Sequence, residues 1–176
     1  MSDYEAFLGA KIARAEKVGV TVIDHHPMLH QWQAEIVTWA CRVGRAAIWA
    51  DTGLGKTVMQ VEWARHMIGS DKRALIVAPL AVCHQTVREA AKLGVAATYV
   101  RDEASVTGPG VYVTNYEMVQ RLSPALFEAV VLDEASILKQ SDGKTRTMLI
   151  SHFSKVPYRL ACTATPAPND PEELTN

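Results

Sequence analysis

The chain has 176 residues, 48% of them apolar and 21% charged, with a formal net charge of −1. That is enough for one domain with a substantial core, and it excludes a globally basic nucleic-acid binder, so any such contact must be a local patch. Three widely spaced cysteines (Cys41, Cys83, Cys162) with no CxxC exclude a disulfide framework and fit reduced thiols in a cytoplasmic setting.

From the amino terminus, Tyr4, Leu8, Ile12 and Ala15 recur at helical spacing and predict an amphipathic helix over 3–17. No basic and apolar leader of the signal-peptide kind is evident there, and no apolar run approaches a membrane span, so no membrane partner is expected. Residues 21–30 read as an extended segment broken at Pro27. His25, His26 and His30 have no cysteine neighbour and no HExxH spacing, so they read as a loop and not a metal site.

A helix is predicted over 29–42, with Leu29, Trp32, Ile36 and Trp39 on one face. Then strands and helices alternate. Strands are predicted at 45–50, 74–78, 96–100, 111–114, 129–132 and 158–162. Helices are predicted at 56–68, 81–93, 117–122 and 144–152, with Trp63, Ala64 and Met67 turned to a sheet. The strand runs are continuously apolar, as strands buried on both faces are. The expected fold is therefore a doubly wound α/β structure with a mainly parallel sheet flanked by helices. Ligands on such sheets bind at the carboxyl ends of strands, where the 50–57 loop, Asp133-Glu134 and Thr163 all fall.

The most informative segment is Ala50-Asp51-Thr52-Gly53-Leu54-Gly55-Lys56-Thr57, between a strand and a helix. A glycine-bearing loop of this kind points backbone N–H groups inward, and the helix adds its positive dipole end, which makes a nest for a polyphosphate. Thr52, Gly53, Leu54 and Gly55 line it, Lys56 reaches the terminal phosphates, and the Thr57 hydroxyl suits Mg²⁺. Ala50 stands where the GxxxxGK[ST] pattern has its first Gly. An L-residue forced to positive φ costs about 1–2 kcal/mol, so Ala50 is expected to close the strand in an ordinary conformation.

A second cluster is Val130-Val131-Leu132-Asp133-Glu134, an apolar strand ending in two acids. Asp133 would hold Mg²⁺ opposite Thr57, since Mg²⁺ takes few protein carboxylates and keeps its waters. Glu134 points elsewhere and would orient the attacking water.

Taken together, the motifs resemble the first RecA-like lobe of a superfamily-two helicase or translocase, nearest the Swi/Snf-like branch. Leu29-His30-Gln31-Trp32-Gln33 resembles the adenine-reading motif, and residues 50–57 resemble motif I, a Walker A variant. Ala78-Pro79-Leu80 resembles motif Ia, and Thr114-Asn115-Tyr116-Glu117 a Thr-x-Tyr-Glu element. Asp133-Glu134-Ala135-Ser136 resembles the DEAD/DEAH-type motif II, with Ser136 where many relatives have His. Thr163-Ala164-Thr165-Pro166 and the following Ala167-Pro168-Asn169-Asp170 resemble motif III, in a spelling similar to compact phage and prophage helicases. The order is correct over 29–174. Thr86 stands where Swi/Snf-type relatives often carry Trp.

Residues 1–28 are expected to form an N-terminal helix and entry segment from their spacing, and the resemblance implies 29–176 as a RecA-like ATP-binding lobe. It implies ATP hydrolysis coupled to movement on nucleic acid, with double-stranded DNA as the expected partner. Gln33 would read the adenine edge, its amide matching N6 and N7. Trp32 would pack in the core or near the base. Thr163 and Thr165 would couple the nucleotide site to nucleic acid. Pro79, Leu80, Thr114, Asn115 and Lys139, with Lys144 and Arg146, would hold a phosphate backbone. The arginine finger, worth roughly 10³–10⁵ in rate in related sites, would come from a second RecA-like lobe in cis or in trans. This lobe alone is expected to bind nucleic acid weakly and to turn over little ATP. The competing reading is a nucleotide-dependent binding or scaffold module, which has no use for Glu134. A P-loop kinase would leave Gln33 and Thr-Ala-Thr-Pro unexplained.

Overall fold

Six short apolar runs become six strands in the computed structural model, which describes residues 18–135 and 143–164, with side chains from 147 onward in the second segment. They are β1 (Arg45–Trp49), β2 (Arg73–Ala78), β3 (Ala97–Tyr99), β4 (Gly110–Asn115), β5 (Ala129–Leu132) and β6 (Tyr158–Thr163). The sheet order is β1-β6-β5-β2-β4-β3, and every pair is parallel. Among the described residues, α1 (Gln31–Val43) precedes β1, and α2 (Lys56–Ile68), α3 (Leu80–Lys92) and α4 (Gly143–Phe153) connect strands. The expected doubly wound parallel architecture is the observed one. The predicted helix over 3–17 lies outside the described residues, and the one predicted at 117–122 is a short 3₁₀ turn, Val119–Arg121.

β2 shows why the runs are continuously apolar. Ala74, Ile76 and Ala78 enter one core, while Leu75 and Val77 enter the other. The first core is closed by α1, α2 and α3, with Met59, Trp63 and Met67 beneath α2. The second is closed by Leu149 and Phe153 of α4 with Phe127 and Tyr112. A strand buried on both faces cannot alternate polar with apolar. No helix among the described residues is long and apolar enough to cross a membrane. All three cysteines are buried and free.

α1 corrects one expectation. Its buried side chains are Gln33, Val37, Ala40, Cys41 and Val43, whereas Trp32 and Trp39 are 40% and 50% exposed. The helix turns its small residues inward because it packs directly on α2 and beside β1. Close approach of two helices favours Ala, Cys and Val over indoles.

The leading segment is fixed by charge. Glu62 of α2 is fully buried. Its Oε1 accepts from Arg65 Nη2 at 2.7 Å and from the His26 N–H at 3.0 Å. His66 Nε2 and His25 Nδ1 lie 3.1 and 3.3 Å from the same oxygen. Oε2 accepts from Arg65 Nε at 3.0 Å. His25, Glu62 and His66 converge closely enough to resemble a metal site. The Arg65 guanidinium already supplies the positive charge, so the cluster is an ion pair that docks residues 25–26 onto α2.

Candidate functional site

The parallel register brings the carboxyl ends of β1, β6 and β5 to one edge. Trp49 pairs with Thr163, and Leu132 with Ala161. The phosphate-loop residues leave β1 at this edge. Ala50 is buried and lies outside the left-handed region; its N–H donates to the Thr163 carbonyl at 3.2 Å and so extends the sheet. Gly53 (φ 83°) and Gly55 (φ 71°) take the left-handed conformations the loop needs. A Cβ on Gly55 would also meet Gln33 Nε2 at 2.5 Å. Both facts favour glycine at 55.

Gly55 is the N-cap of α2 and offers no capping side chain, and the first turn of the helix holds no acidic residue. Lys56 Nζ lies over the loop, donating to the carbonyls of Ala50 (2.8 Å) and Asp51 (3.1 Å). Thr52, Gly53 and Leu54 are exposed, and Thr57 is half-buried. A helix terminus without a capping side chain and beside an ammonium group has the donors an anion requires.

Across this edge, Asp133 follows β5 and is buried. Its N–H donates to Val77 O at 2.8 Å, and its Oδ1 accepts from Gln60 Nε2 at 2.6 Å and from the Glu134 N–H at 3.1 Å. Burial pushes the Asp133 carboxyl above the usual carboxylate range, against the pull of Gln60, the Glu134 N–H and Lys56; the Glu134 charge pushes the same way as burial.

Glu134 has φ 53°, the one positive value outside glycine among the described residues. Such a conformation costs about 1–2 kcal/mol in an L-residue. It is held by neighbours: Thr163 Oγ1 donates to Glu134 Oε1 at 2.8 Å, and the Ala135 N–H donates to Cys162 O at 2.8 Å. The strained turn therefore ties Glu134 to the end of β6. Tyr116 OH donates to the Asp133 carbonyl at 2.6 Å and closes the turn from the β4 side. Burial first, then the charges of Asp133 and Glu134, raise the Tyr116 phenol well above its usual range, so it stays a donor.

Sequence reasoning missed Gln60 and Tyr116. Gln60 carried a signal: it stands four residues after Lys56, one helical turn on, as a polar residue in an otherwise mostly buried apolar stretch. Tyr116 lies within a quoted motif, but nothing local says that its hydroxyl reaches Asp133.

Gln33 sits against the loop. Its Oε1 accepts from the His30 N–H (2.9 Å) and its Nε2 donates to Leu54 O (3.0 Å). A side-chain amide has two N–H groups and two lone pairs, so a donor and an acceptor position remain. Beside it lies a cavity of about 380 Å³ lined by Met28, Trp32, Leu54 and Val58 among others. Trp32 stacks on His30 there, with ring centroids 6.4 Å apart and planes 8° from parallel, so it belongs to this cavity and not to the core.

The nucleic-acid candidates divide. Pro79 caps α3 and Leu80 is exposed, so both are available at the sheet edge. Thr114 and Asn115 are corrected: both are buried, with Thr114 Oγ1 donating to Val100 O (2.8 Å) and Asn115 Oδ1 accepting from Tyr99 OH (3.0 Å). Their side chains serve the fold of β4 and offer a phosphate no surface. Lys139 and Thr165 lie outside the described residues, as do Ser136 and the side chains of Lys144 and Arg146.

Residues 42–176 match the model of the SNF2-related domain family. Comparison with curated proteins gives no match. Among solved structures, the UvsW helicase from bacteriophage T4 superposes with a TM-score of 0.65 at 16% identity, over 93% of this chain and 59% of that one. The Sulfolobus solfataricus SWI2/SNF2 ATPase core in complex with dsDNA gives 0.70 at 20% identity, over 88% and 36%. The Pyrococcus furiosus Hef helicase domain gives 0.65 at 17%, over 82% and 34%. The chain spans 59% of the first relative and about a third of the other two. At these identities the structures establish a shared RecA-like lobe, while the family match runs from the end of α1 through the whole sheet. The chain belongs to the family of SNF2-related domains.

Proposed function

We propose that this chain is the ATP-binding lobe of a nucleic-acid-dependent ATPase, a helicase or DNA translocase that hydrolyses ATP when a second RecA-like lobe is paired with it. The observation that carries the reading is the meeting of three segments at one sheet edge: the Lys56 loop, the Asp133-Glu134 turn and Thr163, the last two joined by the 2.8 Å hydrogen bond from Thr163 to Glu134.

Each residue has a role its environment supports. The loop from Thr52 to Gly55 and the first turn of α2 hold the phosphates, with Lys56 as their counter-charge. Thr57 and Asp133 supply the hard oxygen donors that suit Mg²⁺. Bound between them, Mg²⁺ would neutralise charge on the phosphates. Glu134, strained into position and oriented by Thr163, takes the water-positioning role. A scaffold gains nothing from that strain. Gln33 offers its remaining donor and acceptor to adenine, and Trp32 flanks the cavity where the base would lie. Thr163 touches Glu134 directly, which supports a role in coupling the site to nucleic acid, with Thr165 as its proposed companion. Pro79, Leu80 and Lys139 remain the candidates for a phosphate backbone, and the dsDNA held by the archaeal ATPase core makes duplex DNA the first partner to test.

The test is a pair of variants. Lys56→Ala is expected to abolish ATP binding. Glu134→Gln is expected to keep binding and abolish turnover once the lobe is joined to its partner lobe. Equal loss of binding in both shows that the roles are misassigned.

A further inference from the structure

Gln60 is fully buried on the sheet-facing side of α2, beside Met59 and Trp63. Its Nε2 donates to Asp133 Oδ1 at 2.6 Å. Its Oε1, also buried, has no hydrogen-bond partner among the described residues. A buried amide oxygen left unpaired is unfavourable, and a methionine of the same length would fill the space without it. The contacts with Asp133 and with the Cys162 sulfur are what the amide adds, and the 2.6 Å one to Asp133 is charge-assisted.

An ionised carboxylate has two oxygens with about two lone-pair positions each. Gln60 Nε2 and the Glu134 N–H take those of Oδ1. Among the described residues no donor reaches Oδ2. The carboxylate is therefore held in one rotation, with one oxygen saturated and the other available. The residue that holds it lies on the same helix as Lys56 and Thr57, four and three positions earlier.

We propose that Gln60 is a positioning residue for the magnesium carboxylate: it locks Asp133 with Oδ2 presented to the cation, and it ties that orientation to the helix that carries the phosphate loop. The inference rests on the reading of Asp133 as the carboxylate of a Mg–nucleotide site. A Gln60 that served packing alone would affect stability and all nucleotide binding alike. A positioning residue affects the magnesium-dependent part.

The experiment measures the affinity of the full chain for a fluorescent ATP analogue, with Mg²⁺ and with EDTA, in the wild type, Q60M and Q60N. The expected result is that Mg²⁺ tightens binding to the wild type, that Q60M shrinks this gain by about tenfold, as loss of a metal site's outer-shell partner does, and that affinity in EDTA is unchanged. In a D133N background Q60M is expected to change nothing further. A wild-type chain indifferent to Mg²⁺ overturns the nucleotide reading itself, and this inference with it. A Mg²⁺-responsive wild type matched by Q60M overturns the inference alone, as does a Q60M weakened equally with and without Mg²⁺. Should Q60M be insoluble, Q60N, whose amide falls one methylene short of Asp133, is expected to show the same selective loss, and wild-type behaviour in Q60N overturns the inference.

Discussion

Two buried carboxylates, Glu62 on α2 and Asp133 against it, are treated by the fold in opposite ways. Glu62 has a guanidinium on both oxygens, a backbone N–H on one and two imidazoles beside it. Asp133 has one amide and one backbone N–H, both on a single oxygen. Burial alone would raise both. At Glu62 the hydrogen bonds from His66, Arg65 and His26 overcome it, and the carboxyl is held well below its usual range. At Asp133 burial wins, and the carboxyl is raised. A carboxylate whose needs are met by the protein is a structural tie. One left short of partners in a site that also holds Lys56 has capacity for something the protein does not supply.

The contrast breaks if the two residues behave alike on substitution. The largest expected effect is functional: Asp133→Asn should remove the Mg²⁺-dependent gain in nucleotide affinity and abolish turnover in the two-lobed protein, with thermal stability unchanged or slightly raised. Glu62→Gln should do the reverse. It leaves Arg65 and the His26 N–H without their charged partner and, because Arg65 is partly exposed, is expected to cost about 2–3 kcal/mol, at the low end for breaking a buried pair. For a chain of this size that lowers Tm by roughly 5–10 °C, while the response to Mg²⁺ survives. Parallel melting curves and nucleotide titrations decide it; loss of Mg²⁺ response in Glu62→Gln erases the distinction.

The pH dependence sharpens the same comparison, because the two signs differ. Glu62 has a folded pKa below its unfolded value of about 4.3. Its contribution is complete above that value and drains away as pH falls through the folded pKa. Asp133 has a folded pKa above its unfolded value of about 3.9. Its contribution is present below the unfolded value and is lost as pH rises through the folded one. Denaturant midpoints across the carboxylate range should therefore show Glu62→Gln flattening the acid side of the stability profile. Asp133→Asn should flatten the decline on the other side of that range. A common slope in both variants contradicts the assigned directions.

Much of the lobe was legible because the periods were clean. The helix over 56–68 and the strand over 129–132 have the predicted bounds, since an apolar run between a glycine loop and a turn leaves little choice. The meeting of the 50–57 loop, Asp133, Glu134 and Thr163 also followed, because a parallel sheet sends every strand's carboxyl end to the same side. What failed was rotation. The spacing of Leu29, Trp32, Ile36 and Trp39 locates α1 but not its buried face, because contact with α2 selects small residues. The motif casts Thr114 and Asn115 as phosphate contacts, yet a doubly covered sheet buries both side chains. Gln60 and Tyr116 needed the angle of α2 over the sheet and the height of the β4 end beside β5, which no local pattern carries.

The misassigned face of α1 yields the smallest of these effects. Trp32 is exposed enough that its loss leaves the core intact, so Trp32→Ala should change Tm by little. It lines the cavity beside Gln33 with its ring held against His30. Stacking of a base on an aromatic ring contributes about 1–3 kcal/mol where it is fully formed. At the rim of an open cavity the lower end applies, and Trp32→Ala should weaken an adenine nucleotide by about fivefold. If Gln33 supplies the adenine contacts, as proposed, and Trp32 only a ring face, the loss should be equal for adenine and guanine nucleotides, leaving their ratio unchanged. Gln33→Ala should instead shift that ratio toward guanine. If Trp32→Ala alters the ratio and Gln33→Ala does not, the two residues have been given each other's role. The amide held between His30 and Leu54 would then be a brace for the loop.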